Sequence, residues 1–465
     1  MTKQARTILF VSITALFFLM APLIIFYSQG YRFDFKTKKI FQTGAFSFKA
    51  WPQEAWISID NKLVKKTDFF FGTVYIENIL PKEYRVKIEK EGYLPWKKTL
   101  EIKEKWVTEN KNIFLVPENP RFNLLEEGGD NFFLSPDGKK GILKKDEKDG
   151  WALILLDFEK NISSSLFQEK DFSEKDKNTD FITLEWSSDS KRFLLKNKAG
   201  KNQYFVIEVE NEPNIFPLDF LSMNLSDAVF HPRDPQVILL TQNLTKEDNL
   251  FSVNYKEKSL SGPILSGFLA LKAFDNSLFW LDEEGFLRQS NLSSNEIRQL
   301  NKKPLSLNPD SQYELFTFAN DKIFLKEDDD FYFLNQDRQS LEMISGRIKG
   351  ARISPDSKKI VYFTDNEIWV LFLENIEEQP RRKNGEKLFL TRFSEEIGDA
   401  FWWTSHYLVF SVGDKIKITE IDDRDRINIY DLVIFKNPEI FWNKYDKKLY
   451  VLSEGKIFIS EQLIP

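Results

Sequence analysis

The chain has 465 residues, with 65 basic against 71 acidic side chains for a net charge of −6, and it carries 44 Phe, 14 Tyr and 11 Trp. Charges of both signs are interspersed, so no basic face suited to tracking a phosphate backbone is formed and a nucleic-acid partner is not expected. With no cysteine, a disulfide framework, a thiolate nucleophile and Cys-ligated metal are excluded together.

Residues 8–27 form a mainly apolar run, and no charge occurs between Arg6 and Arg32. About twenty helical residues span about 30 Å, the thickness of a bilayer core. Pro22 is tolerable in such a helix, and Tyr27 and Tyr31 sit where interfacial aromatics belong. The run ends Phe26-Tyr27-Ser28-Gln29-Gly30-Tyr31, a poor cleavage site, which favours an uncleaved anchor over a signal peptide. Residues 1–7 are then a cytoplasmic stub, 8–27 a single-pass transmembrane anchor and 28–40 a linker to an extracytoplasmic body. Arg32, Lys36, Lys38 and Lys39 outnumber Lys3 and Arg6, but a short tail is easily retained and large domains translocate largely regardless of charge.

Residues 41–116 alternate as short strands do. Trp56, Ser58 and Asp60 alternate with Ile57 and Ile59, and Asp60-Asn61 supplies a tight hairpin turn. Further strands are expected at Val74–Glu77, Tyr84–Glu89 and Thr99–Ile102. The stretch Pro52-Gln53-Glu54-Ala55 before Ile57-Ser58-Ile59-Asp60, then Leu80-Pro81-Lys82-Glu83-Tyr84, then Lys90-Glu91-Gly92-Tyr93, resembles the PEGA domain. Asp60-Asn61 and Pro81-Lys82-Glu83-Tyr84 depart slightly from that family's turns. The resemblance implies a small β-sandwich acting as a spacer or interaction module. Trp51 or Trp96, if exposed, could stack on a sugar ring; packing between sheets is the favoured use.

Residues 117–465 repeat a polar turn followed by an apolar strand. Asp137, Asp189, Asp234, Asp275, Asp310, Asp356 and Asp446 mark seven copies, and Trp403-Thr404-Ser405-His406 marks a degenerate one. The spacing averages about 44 residues, the period of a propeller blade. Ser135-Pro136-Asp137-Gly138, Ser354-Pro355-Asp356-Ser357 and Trp186-Ser187-Ser188-Asp189 resemble TolB-like propeller repeats. The fold class is therefore mainly β: a helix, a sandwich and a propeller of eight blades, with seven as the alternative. The segment Arg121–Glu126 is expected to complete the last blade, which is otherwise one strand short.

No catalytic, cofactor or metal residue emerges, and no cofactor is expected. No Gly-x-Ser-x-Gly elbow occurs, and His231 and His406 are the only histidines, both expected as turn residues. The acidic runs Glu327–Asp330 and Asp422–Asp425 lack a calcium-loop pattern and read as solvated hairpin loops. Trp402 and Trp403 fall on an inner strand and read as core. The expected function is non-catalytic: a membrane-anchored scaffold in the cell envelope whose propeller engages a protein or envelope component. A carbohydrate or cell-wall binder and a propeller-based hydrolase are the alternatives, and the binding residues are not identified.

Overall fold

The chain begins with a 26-residue helix, α1 (Lys3–Ser28), long and apolar enough to cross a membrane and packed against nothing that buries its side chains. This computed structural model describes residues 3–463 apart from 36, 149, 173–179, 200, 211, 222–224, 244–247, 293–295 and 320–321. A two-stranded hairpin, β1 (Tyr31–Asp34) and β2 (Lys39–Gln42), occupies most of the stretch expected to be a plain linker.

Two sheets follow. One is three-stranded, with β3 (Gly44–Trp51) between β6 (Thr73–Ile79) and β9 (Val107–Phe114). The other orders β5 (Lys62–Lys66), β4 (Trp56–Ile59), β7 (Glu83–Glu89) and β8 (Trp96–Glu101). Alternation does the sorting. In β7, Tyr84, Val86 and Ile88 turn inward, where they join Phe46, Phe48, Ile57, Val74, Trp96 and Leu100 in one core shared by both sheets. Asp60 and Asn61 carry φ of 48° and 63°, the left-handed pair a tight hairpin needs.

From β10 (Phe122–Glu127) onward, the described residues form eight four-stranded antiparallel sheets. In seven of them the strands follow chain order. The eighth sets β10 against Lys456–Ser460, with Phe122 opposite Ser460 and Asn123 opposite Ile459, so both ends of the region share one sheet as expected. Gly128 N and Gly129 N both donate to Gly455 O at 2.6 and 3.0 Å, extending the join. Second strands such as Lys359–Phe363 and Tyr407–Val412 are buried along their whole length, because a neighbouring sheet covers each face. First strands lie side by side, Gly350–Ile353 beside Ile397–Thr404 and that beside Glu439–Asn443, and build an inner wall.

The repeated turn works through hydrogen bonds. Ser135 Oγ lies 2.6 Å from Asp137 Oδ1, which accepts from Lys139 N at 3.0 Å. Ser187 with Asp189 and Ser354 with Asp356 repeat the arrangement. His231 takes the serine's place, its Nδ1 accepting from Arg233 N at 3.3 Å and Asp234 N at 3.0 Å. Asp310 is a correction. It precedes the first strand of its sheet, Tyr313–Ala319, and the connection equivalent to the other turns falls at 320–321, outside the described residues.

Candidate functional site

Polar groups converge where the two-sheet unit meets the eight-sheet unit. β9 pairs with β3 along one edge only, and side chains from the larger unit cap the other. Gln379 donates through Nε2 to Val107 O (3.0 Å) and accepts Glu109 N at Oε1 (3.1 Å), so its amide imitates a further strand. Arg424 Nη1 donates to Glu109 O at 2.7 Å, and Phe114 N donates to the Tyr407 hydroxyl at 3.0 Å.

Beneath this edge lies a buried ion pair. Lys98 Nζ, on β8, reaches Glu420 Oε1 at 2.9 Å and also donates to Asp422 O (2.5 Å) and Arg426 O (2.9 Å). Glu420 accepts from Trp96 Nε1 at 2.8 Å and from Asn428 Nδ2 at 2.7 Å. Burial raises the Glu420 carboxyl above its ordinary range, and Lys98 pulls it back. Nearby, Asn110 Nδ2 donates to Asp422 Oδ2 (2.9 Å), Thr99 N to Asp425 Oδ2 (2.6 Å), and Arg382 pairs with Asp423.

The run Asp422–Asp425 is only partly the solvated loop expected: Asp425 is exposed, but Asp422 is held by Asn110 and Arg424 and Asp423 by Arg382. Trp96 is 1% exposed and offers no sugar platform, while Trp51 is half-buried with one face stacked on Phe114 at 4.6 Å. Trp51 packs between the two units rather than between the two sheets. Trp402 and Trp403 are buried, as expected; Trp403 meets Phe114 edge-on at 4.6 Å. Glu327–Asp330 forms a hairpin as expected, with Asp328 Oδ1 accepting Gln312 N at 2.8 Å and Glu327 Oε1 accepting the Tyr313 hydroxyl at 2.8 Å.

Openings line this seam. A small pocket of about 40 Å³ is bounded by Asn110, Lys359, Glu378, Arg382, His406 and Asp422. A cleft of about 390 Å³ lies between Trp51, Phe71, Phe114, His406 and Tyr407, and one of about 560 Å³ between Trp106, Thr108, Gln379 and Arg424. His406 sits in its turn as expected but borders two of these spaces, and burial pushes its imidazole down to about 4. Along the inner wall, Glu185 keeps contact with solvent yet is ringed by protein, which raises its carboxyl to about 7 against the pull of Lys272. Arg352 Nη2 holds Asp399 Oδ2 at 3.1 Å on the same wall. Among the described residues no group of three or more His, Asp or Glu side chains is arranged to hold a metal ion.

No protein-family model matches the sequence, and no curated protein does. Solved structures do match. The C-terminal WD40 domain of Sif2 aligns at a TM-score of 0.51 and 13% identity, covering 75% of this chain and 99% of that one. The fold is a WD40-like β-propeller. The WD40 domain of SCAP from fission yeast (TM-score 0.46, 9% identity, 74% of this chain and 98% of that one) is more distant. So is oligogalacturonate lyase from Vibrio parahaemolyticus (TM-score 0.42, 13% identity, 74% and 93%). At such identities the likeness to the propeller of Sif2 is one of fold alone.

Proposed function

We propose that this chain is a non-catalytic, single-pass membrane scaffold whose propeller engages a protein or another component of the cell envelope. In this reading residues 1–7 are cytoplasmic, 8–27 cross the bilayer, 41–116 are a PEGA-like sandwich and 117–465 are a TolB-like propeller of eight blades outside the membrane. The carrying observation is the seam itself. Lys98–Glu420 and the capped edge of β9 fix the propeller on a unit that follows the apolar helix after one short hairpin. A rigid mount suits a platform that presents one face at a constant height. A loose tether would suit a domain that searches for substrate.

Fractionation and topology test this. The protein is expected to stay in membranes through high-salt and carbonate washing, because apolar burial is insensitive to both. Protease added to intact spheroplasts is expected to digest the body. A protected body overturns the orientation, and release of a shortened soluble form overturns the anchor. In-cell crosslinking followed by purification identifies the partner. Carbohydrate binding is the second reading, favoured by the exposed Trp106 at the mouth of the 560 Å³ cleft; a glycan array decides it.

A further inference from the structure

The loop between β5 and β6 displays three consecutive phenylalanines, Phe69, Phe70 and Phe71, at 67%, 78% and 72% exposure. It is a built loop. Asp68 Oδ1 accepts Phe70 N (2.9 Å) and Phe71 N (2.7 Å), and Asp68 Oδ2 accepts Thr73 N (2.6 Å) and Thr73 Oγ1 (2.5 Å). Gly72, at φ 66°, closes it against β3, where a Cβ would stand 2.3 Å from Ala50 O. Fixing exposed aromatic side chains in one place has a use only when an apolar partner receives them.

The flank around the loop has the same character. Leu63, Val64 and Tyr75 are exposed beside it, interleaved with Lys62, Lys65 and Lys66. Phe33, Phe35 and Ile40 of the β1–β2 hairpin, which follows the anchor in the chain, are exposed as well. Arg32 ties these parts together: Nη1 donates to Tyr27 O (2.7 Å) at the end of α1, and Nη2 donates to Asn78 Oδ1 (2.7 Å) near the end of β6. From Asn78 back to Thr73, β6 covers about 17 Å, at about 3.3 Å per residue.

We propose that the Phe69–Phe71 loop enters the interfacial layer of the bilayer that holds α1, with β6 lying along the surface and Lys62 of β5 facing anionic headgroups. This rests on the anchored reading above. The bilayer is the one apolar partner which that reading already requires. Exposed apolar side chains occur both on the hairpin that follows α1 and at the loop, and their mixture with lysines is the pattern of an interfacial element. Because the loop is tethered beside the membrane, weak insertion suffices to set the tilt of the whole body.

The absence of cysteine allows a direct test. Full-length Phe70→Cys, Phe18→Cys and Lys258→Cys proteins are spin-labelled and reconstituted in phosphatidylcholine vesicles containing phosphatidylglycerol. Collision rates with oxygen and with a water-soluble nickel chelate then report depth. A deep label at 18, a shallow but immersed label at 70 and an aqueous label at 258 are expected. Adding Phe69→Ser and Phe71→Ser to the Phe70→Cys protein is expected to return its label to water. An aqueous label at 70 with a deep one at 18 overturns loop insertion and leaves the anchor intact. An aqueous label at 18 overturns the anchored reading itself. A label at 70 shielded from both reagents, or immersed only at high protein density, indicates a protein neighbour or a second copy and likewise overturns the proposal.

Discussion

Lys98 and Glu420 meet at 2.9 Å with their side chains 0% and 3% exposed, one from the two-sheet unit and the other from the propeller. An ion pair sealed between two units acts as a lock on their relative placement. Removing one partner strands a buried charge, whereas a mobile interface would let water reach it.

Lys98→Met is therefore expected to lower stability by about 3–5 kcal/mol, since Glu420 stays buried without its counter-charge. Lys98→Met combined with Glu420→Gln is expected to recover part of the loss, because the neutral amide still accepts from Trp96. Thermal midpoints of the two variants and the parent check this. An unchanged midpoint for the single variant means the seam is open to water.

Closure of the propeller makes a second expectation. Deleting residues 122–127 strips the outer strand from the last blade and leaves Lys456–Ser460 as a bare edge. Hydrogen exchange is expected to quicken throughout the propeller, including Ser277–Asp282 on a blade that β10 never touches. Loosening confined to residues 439–460 would show that closure acts only locally.

His406 sets a pH dependence. Its folded value of about 4 lies below the ordinary 6.5, so between these values the unfolded chain binds a proton that the folded chain does not. Stability from this group is fully present above about pH 6.5 and falls as pH drops toward 4, by on the order of 3 kcal/mol. His406→Asn is expected to flatten that part of the profile, measured as urea midpoints across the window.

Glu185 works in the opposite sense. Its carboxyl is raised from 4.5 to about 7, so the folded chain holds the extra proton and stability declines as pH rises through that interval. Glu185→Gln is expected to remove this decline and to be the more stable protein above about pH 7. Urea midpoints of the Gln variant that follow the parent's pH profile would place the carboxylate in open water instead.

Local features were legible in the chain before folding. The turn around Asp137 and Asp356 depends on residues within five positions of each other, so Ser, Pro, Asp and Gly reveal it directly. The apolar second strands and the helix were visible for the same reason: composition alone determines that they must be covered or leave water. Even closure by Arg121–Glu126, one residue off the observed strand, followed from counting strands against edges.

The seam was decided only in three dimensions. Val107–Phe114 is too polar to stand out as a strand, and it is held because Gln379 and Arg424, far along the chain, satisfy its open edge. An acidic run such as Asp422–Asp425 reads as solvated by default, since in sequence nothing marks the Lys98, Thr99 and Asn110 groups that will face it. Asp310 misled for a related reason, being a turn residue at nearly the right spacing on the wrong side of its strand. Periodicity reports which side chains must leave water. Which polar groups then meet across about 300 residues is set by the packing of two finished units, because hydrogen bonds and ion pairs act only at contact distance.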